Sequence, residues 1–187
     1  SSITGGTAGI RVEGDDSEIE NEGLISSGPG DGIQVASSGA TWITNYSSGA
    51  ITAPGGTAIE ASGAGTTTID HWGLISGGNT ITGAGGIEIV HNNAGGVING
   101  TVSLGGGSDL VDLNDGSLLT GNVLTGLGSD QLFLSTGAGL TGDIDMGDDG
   151  ANVETDVLTL EGTGHGVFDG NAVEIEDLKR STTAPGT

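Results

Sequence analysis

The sequence predicts an all-β chain coiled as a parallel β-helix, a β-solenoid of about seven or eight coils, and three observations predict it. First, a phrase repeats. Gly107-Ser108-Asp109-Leu110-Val111-Asp112-Leu113 returns as Gly128-Ser129-Asp130-Gln131-Leu132-Phe133-Leu134, and a looser copy follows as Asp156-Val157-Leu158-Thr159-Leu160. Second, apolar residues alternate within each copy, as in Leu132/Leu134 and Leu158/Leu160. That is the period of a strand with one buried face. Third, the chain holds 40 glycines, and glycine interrupts every window long enough to sustain helical periodicity. Short strands joined by polar turns remain, and stacking such units buries the apolar side of each against its neighbours.

The first part, residues 1–103, carries a longer version of the repeat. Gly9-Ile10-Arg11-Val12 is echoed by Gly32-Ile33-Gln34-Val35, Ala58-Ile59-Glu60-Ala61 and Gly86-Ile87-Glu88-Ile89, at intervals of 23 to 28 residues. About ten residues after each comes a second apolar position: Ile19, Ile43, Ile69 and Val97. Two residues further on stand Asn21, Asn45, His71 and Asn99. Stacked coils would align these into a file of amides that bond the turn and the next coil, with His71 substituting in that file. The second part, residues 104–180, carries the Gly-x-Asp phrase at intervals of 21 and then 26 residues. The excess matches the polar patch Asp149 to Val153, which reads as a loop insertion. Residues 181–187 form a linker-like tail, and both parts belong to one continuous solenoid.

Composition narrows the function classes. A net charge of −22, from 25 acids against three bases, repels nucleic acid and anionic membrane. Cysteine is absent, so nothing staples the fold and no thiol redox site exists. No apolar run approaches the length of a membrane-spanning helix. The opening Ser1-Ser2-Ile3-Thr4 lacks the basic and apolar regions of a secretion signal, so the chain is expected to be a processed or excised piece of an exported protein.

Four phrases resemble the passenger region of Gram-negative autotransporter proteins. They are Ile19 to Ile25 (Ile-x-Asn-x-Gly-x-Ile), Gly126 to Leu134 (Gly-x-Gly-Ser-Asp-x-Leu-x-Leu), Thr141 to Asp149, and Gly164 to Asn171 leading to Val173 to Lys179. The resemblance spans nearly the whole chain. It implies a right-handed parallel β-helix that crosses the outer membrane and is displayed or released outside the cell. The C-terminal β-barrel of that family is not in this sequence, and neither is an inserted protease or lipase module.

The candidate sites are few. Asp109, Asp130 and Asp156 hold matching positions, so a β-helix stacks them. Carboxylates about 5 Å apart repel by roughly 1 kcal/mol at the dielectric of water and more at a protein surface. They are expected either to splay into solvent along an acidic edge or to be bridged by a cation. Calcium is the candidate ion, because it takes carboxylate and carbonyl oxygens. Asp145, Asp148 and Asp149 form a second acidic group on a turn and are candidate calcium ligands as well. Trp42, Tyr46 and Trp72 are a candidate contact patch: alternation turns Trp42 away from Ile43, and Trp72 away from Ile69 and His71. The alternative is that they pack under a loop. No catalytic set emerges. His71, His91 and His165 lack metal-ligand spacing, and the bases that would hold an acidic sugar sit near the two ends.

The expectation is therefore a non-catalytic structural or adhesive segment of an exported bacterial surface protein. It would be placed outside a Gram-negative cell or on its outer surface. Two alternatives stay open: a subunit of a self-assembling extracellular filament joined end to end, and a calcium-stabilised binding module. Partners would be further copies of the chain or a host or cell-surface ligand, with no nucleic acid and no membrane insertion. No cofactor is required, and calcium is the one candidate.

Overall fold

A computed structural model describes residues 2–5, 8–147, 155–163, 168 and 170–181. The chain winds through about eight turns. The first holds β1 (Ser2–Gly5), β2 (Ala8–Val12) and β3 (Ser17–Asn21). The second holds β4 (Leu24–Ser27), β5 (Asp31–Val35) and β6 (Ala40–Asn45). In the next three the first two strands run together, giving β7 (Ala50–Ala61) with β8 (Thr66–His71), β9 (Leu74–Gly83) with β10 (Ile87–Asn92), and β11 (Val97–Ser103) with β12 (Leu110–Leu113). The sixth holds β13 (Leu118–Thr120), β14 (Val123–Leu124) and β15 (Gln131–Ser135). The seventh holds β16 (Gly139–Thr141), β17 (Ile144–Asp145) and β18 (Val157–Glu161), and the eighth β19 (Ala172–Val173) and β20 (Asp177–Ser181). Every described strand pairs in parallel with its counterpart one turn away. The result is a 12-stranded sheet bent into a first and a second wall, and an 8-stranded sheet that forms the third.

Three aliphatic ladders fill the tube. Ile25, Ile51, Ile75, Ile98, Leu119 and Leu140 stack in the first wall. Ile33, Ile59, Ile81, Val102, Val123 and Ile144 stack in the second. Ile43, Ile69, Val90, Val111, Leu132 and Leu158 stack in the third. All are buried. β-Branched side chains suit this work, since their restricted χ1 matches a pleated surface where identical neighbours repeat above and below. Each fully buried aliphatic side chain contributes about 1.5–3 kcal/mol toward the ordering entropy of its turn.

Glycine makes one corner possible. Gly128 lies at φ 138°, and a Cβ there would run into the carbonyl oxygen of Gly107 one turn away. The Gly-Ser-Asp phrase is thus a backbone requirement where turns stack too closely for a side chain.

Two alignments differ from the sequence reading. The residue stacked on Ile59 is Ile81, and Ile87 lies in the third wall opposite Thr66 with its side chain outward. Ile87, Ile89 and Val90 offer apolar residues at both parities, so alternation alone allowed either phase. Consequently Val97 stacks on Leu74 and Asn99 on Ser76, and the file of amides continues from His71 to Asn92. The shorter turn accordingly begins between Ile69 and Val90. Stacking runs unbroken through the junction of the two sequence blocks, with Ile98 on Leu119. The proposed insertion Asp149 to Val153 lies outside the described residues, as do residues 182–187 of the tail.

Candidate functional site

Two polar files run inside the tube, and the sequence located only parts of them. The first occupies the end of the third wall. Asn21 Nδ2 donates to Asn45 Oδ1 at 2.8 Å, and Asn45 Nδ2 donates to His71 Nδ1 at 3.1 Å. His71 Nδ1 also faces the Gly73 N–H at 3.3 Å, so the proton sits on Nε2 and is donated to the Val97 carbonyl at 3.2 Å. Burial pushes the His71 imidazole down to about 4, with the Val97 bond opposing that shift. His71 therefore takes an asparagine's place as a neutral link. Asn92 Nδ2 donates to the Leu118 carbonyl at 3.1 Å, after which the file becomes aliphatic at Leu113, Leu134 and Leu160.

The second file contains the repeated aspartates. Their carboxylates do not splay into solvent: Asp109, Asp130 and Asp156 are buried, each just ahead of a third-wall strand. Each takes a backbone N–H from the turn before. Glu88 N–H donates to Asp109 Oδ1, Asp109 N–H to Asp130 Oδ1, and Asp130 N–H to Asp156 Oδ1, each at 2.8 Å. Asp156 N–H completes the series at Glu176 Oε2, at 2.9 Å. Such bonds stabilise a buried carboxylate, while the low dielectric and the neighbouring acids oppose its charge. Burial pushes Asp109 up to about 6, the N–H of Glu88 pulls it back and Asp130 adds repulsion. Glu88 is fully buried, and burial followed by the charge of Asp109 lifts it to about 8. Its carboxyl fits because Gly83 has no Cβ to collide with it. The sequence reading missed Glu88, although it precedes Asp109 by the same 21 residues that separate Asp109 from Asp130.

Of the six acids singled out as calcium ligands, the structure describes Asp109, Asp130, Asp156 and Asp145. Asp145 stands apart on β17, where its Oδ1 accepts the Gly147 N–H at 3.1 Å. Asp148, Asp149 and also His165 lie outside the described residues. Among the described residues no three Asp, Glu or His side chains gather as metal ligands would. His91 faces outward, with Nδ1 at 3.5 Å from Asp112 Oδ2 and with Asp70 on its other side in the same file.

The aromatic side chains face outward, with Trp42 at 44%, Tyr46 at 36% and Trp72 at 36% exposure. Their grouping differs from the sequence reading. Trp42 lies opposite Thr68, about 13 Å along the strand from the level of Trp72. Tyr46 is the true neighbour of Trp72, since each follows a residue of the pair Asn45/His71 and the Trp72 N–H donates to the Asn45 carbonyl. Tyr46 Oη donates to Glu20 Oε1 at 2.9 Å, and that bond raises the phenol's pKa.

One wall has a surface unlike the others. From β4 to β13 each strand of the first wall shows two side chains outward, on either side of its buried aliphatic residue. One outward row runs Leu24, Ala50, Leu74, Val97 and Leu118, and the other Ser26, Thr52, Ser76, Asn99, Thr120 and Thr141. No Asp, Glu, Lys, Arg or His occurs at either row or between them. The outward rows of the second wall include Arg11, Glu60 and Asp145, and those of the third Glu18, Glu20, Asp70 and Asp112. Trp72 adjoins the uncharged face across Gly73.

Comparison with known protein families, with curated proteins and with solved structures finds no match for this chain. Fold and side-chain geometry alone define its class, an all-β parallel β-solenoid.

Proposed function

We propose that this chain is a segment of an exported bacterial surface protein of the autotransporter-passenger kind, serving as a non-catalytic rod with an adhesive face. The observation that carries the reading is the first wall: among the described residues its outward rows hold no charged side chain, in a chain of net charge −22. A merely solvated wall gains from carboxylates, as the other two walls do. Exposed Leu24, Leu74 and Leu118 beside Trp72 cost solubility and are retained where a contact uses them. The interior supports a structural role. Aliphatic ladders and hydrogen-bonded polar files fill the tube, so ligands meet only its outside. Seven spacings of about 4.8 Å make a rod of roughly 34 Å.

Beads coated with the purified chain test the reading. They should attach to bacterial or epithelial cell layers several times more often than albumin-coated beads, and the chain should release no reducing ends or peptides from cell-surface material. Attachment no better than albumin's would remove the adhesive role, and product release would remove the non-catalytic one.

A further inference from the structure

We propose that the outward face of the first wall binds a neutral linear polysaccharide lying along the solenoid axis; this deepens the adhesive reading and rests on it. The face presents an apolar row and a hydroxyl row on the same strands, two residues and so about 6.6 Å apart. Each row repeats from turn to turn at about 4.8 Å. Leucine recurs at every second turn, with Ala50 and Val97 between: Leu24, Leu74 and Leu118 are 36–39% exposed, and Ser26, Thr52 and Thr120 lie parallel to them. Thr52 Oγ1 donates to Ser26 Oγ at 3.1 Å, which leaves lone pairs on both oxygens to accept from outside.

A surface that repeats one pattern over several turns matches a ligand that also repeats at short intervals. With no charge to offer, it gains nothing from a charged one. The net charge of −22 repels nucleic acid and anionic polysaccharide. A peptide adding as a strand needs a free backbone edge, and from β4 to β13 the first-wall strands are paired on both sides. The two rows outline an area of about 24 Å by 6.6 Å, roughly 160 Å² by these spacings, and a second copy packed on it falls well under the ~800 Å² per partner of a stable interface. A neutral glycan chain remains. Its ring C–H patches suit the leucine row and the Trp72 indole, and its hydroxyls suit the Ser/Thr/Asn row.

The test is retention of the full chain on microcrystalline cellulose and on chitin, with polygalacturonate as the anionic counterpart. Retention is expected on a neutral polymer, unchanged at about 0.5 M NaCl because no ion pair contributes. Leu74→Glu and Thr52→Glu each place a carboxylate on an outward position and should cut retention about tenfold or more. Gln131→Glu, outward on the third wall, should not. Melting curves confirm that all three variants fold. Absence of retention on both neutral polymers overturns the proposal. So does retention that survives Leu74→Glu and Thr52→Glu, or binding to polygalacturonate that salt abolishes. A doubled mass in light scattering that Leu74→Glu abolishes would assign the face to a second copy and overturn it equally. Beads that still attach to cells when neither polymer retains the chain would sink the ligand class alone; loss of both would sink the adhesive reading with it.

Discussion

Glu88→Gln separates a buried carboxyl that holds a proton from one that does not. Glu88 is fully buried and lifted to about 8, against 4.5 for an ordinary glutamate. Its folded pKa is raised, so the unfolded chain gives up this proton first. The contribution to stability is full below about 4.5 and is lost as pH rises through about 8. At 1.36 kcal/mol per pKa unit, the loss approaches roughly 5 kcal/mol as a ceiling. For a chain of this size that is roughly 10 °C or more in melting temperature. Exposed carboxylates also destabilise the chain as pH rises, through mutual repulsion, but they titrate mainly below about pH 5. The informative quantity is therefore the difference between wild type and Glu88→Gln, followed by circular dichroism from pH 4.5 to 9 at fixed ionic strength. The variant should be equal or slightly less stable in acid, since a buried amide without partners costs about 1 kcal/mol or more. It should be clearly more stable at pH 9. A milder slope should persist from Asp109, which is lifted to about 6. Parallel curves for the two proteins would refute the assignment.

His71 acts in the opposite direction. Its folded pKa is lowered to about 4, so its contribution is lost as pH falls from about 6.5 toward 4, and His71→Asn should remove that acid limb from the melting profile. Asn45→Ala would strip partners from Asn21 Nδ2 and His71 Nδ1 together, at a cost of about 2–4 kcal/mol in urea unfolding; a change below about 0.5 kcal/mol would mean that the file contributes nothing. Millimolar calcium and an excess of chelator should give the same melting temperature, because backbone N–H groups already hold Asp109, Asp130 and Asp156. A rise of several degrees with calcium would show an ion bound by the folded state.

The solenoid was legible because its signals agree: alternation, recurrent phrases and glycine corners all demand stacked strands. Alternation turned Trp42 and Trp72 away from the core, and both indoles are exposed. Two features resisted. At Ile87 to Val90 apolar residues occupy both parities, and the phase is decided by what lies above and below, which a single strand does not display. The aspartates were harder. Asp130 shares parity with Leu132 and Leu134, so alternation pointed it inward while the affinity of a carboxylate for water pointed it outward. The contest is settled by an N–H from the neighbouring turn, a partner 21 to 26 residues away. The uncharged wall was present in the sequence but scattered over triplets such as Leu24-Ile25-Ser26 and Leu118-Leu119-Thr120, and only the register gathers them into one surface.

The carboxyl file also gives the rod a direction. Every link runs the same way: the N–H of one turn donates to a side chain of the turn that follows it in the chain. Asn21 to Asn45 and Asn45 to His71 obey the same order. A turn therefore has these inward N–H groups fully answered once its successor has wound beneath it. Growth of such a chain is a ratchet in which each added turn locks the one before, and peeling by force would proceed most readily from the side where the latest turn has no follower.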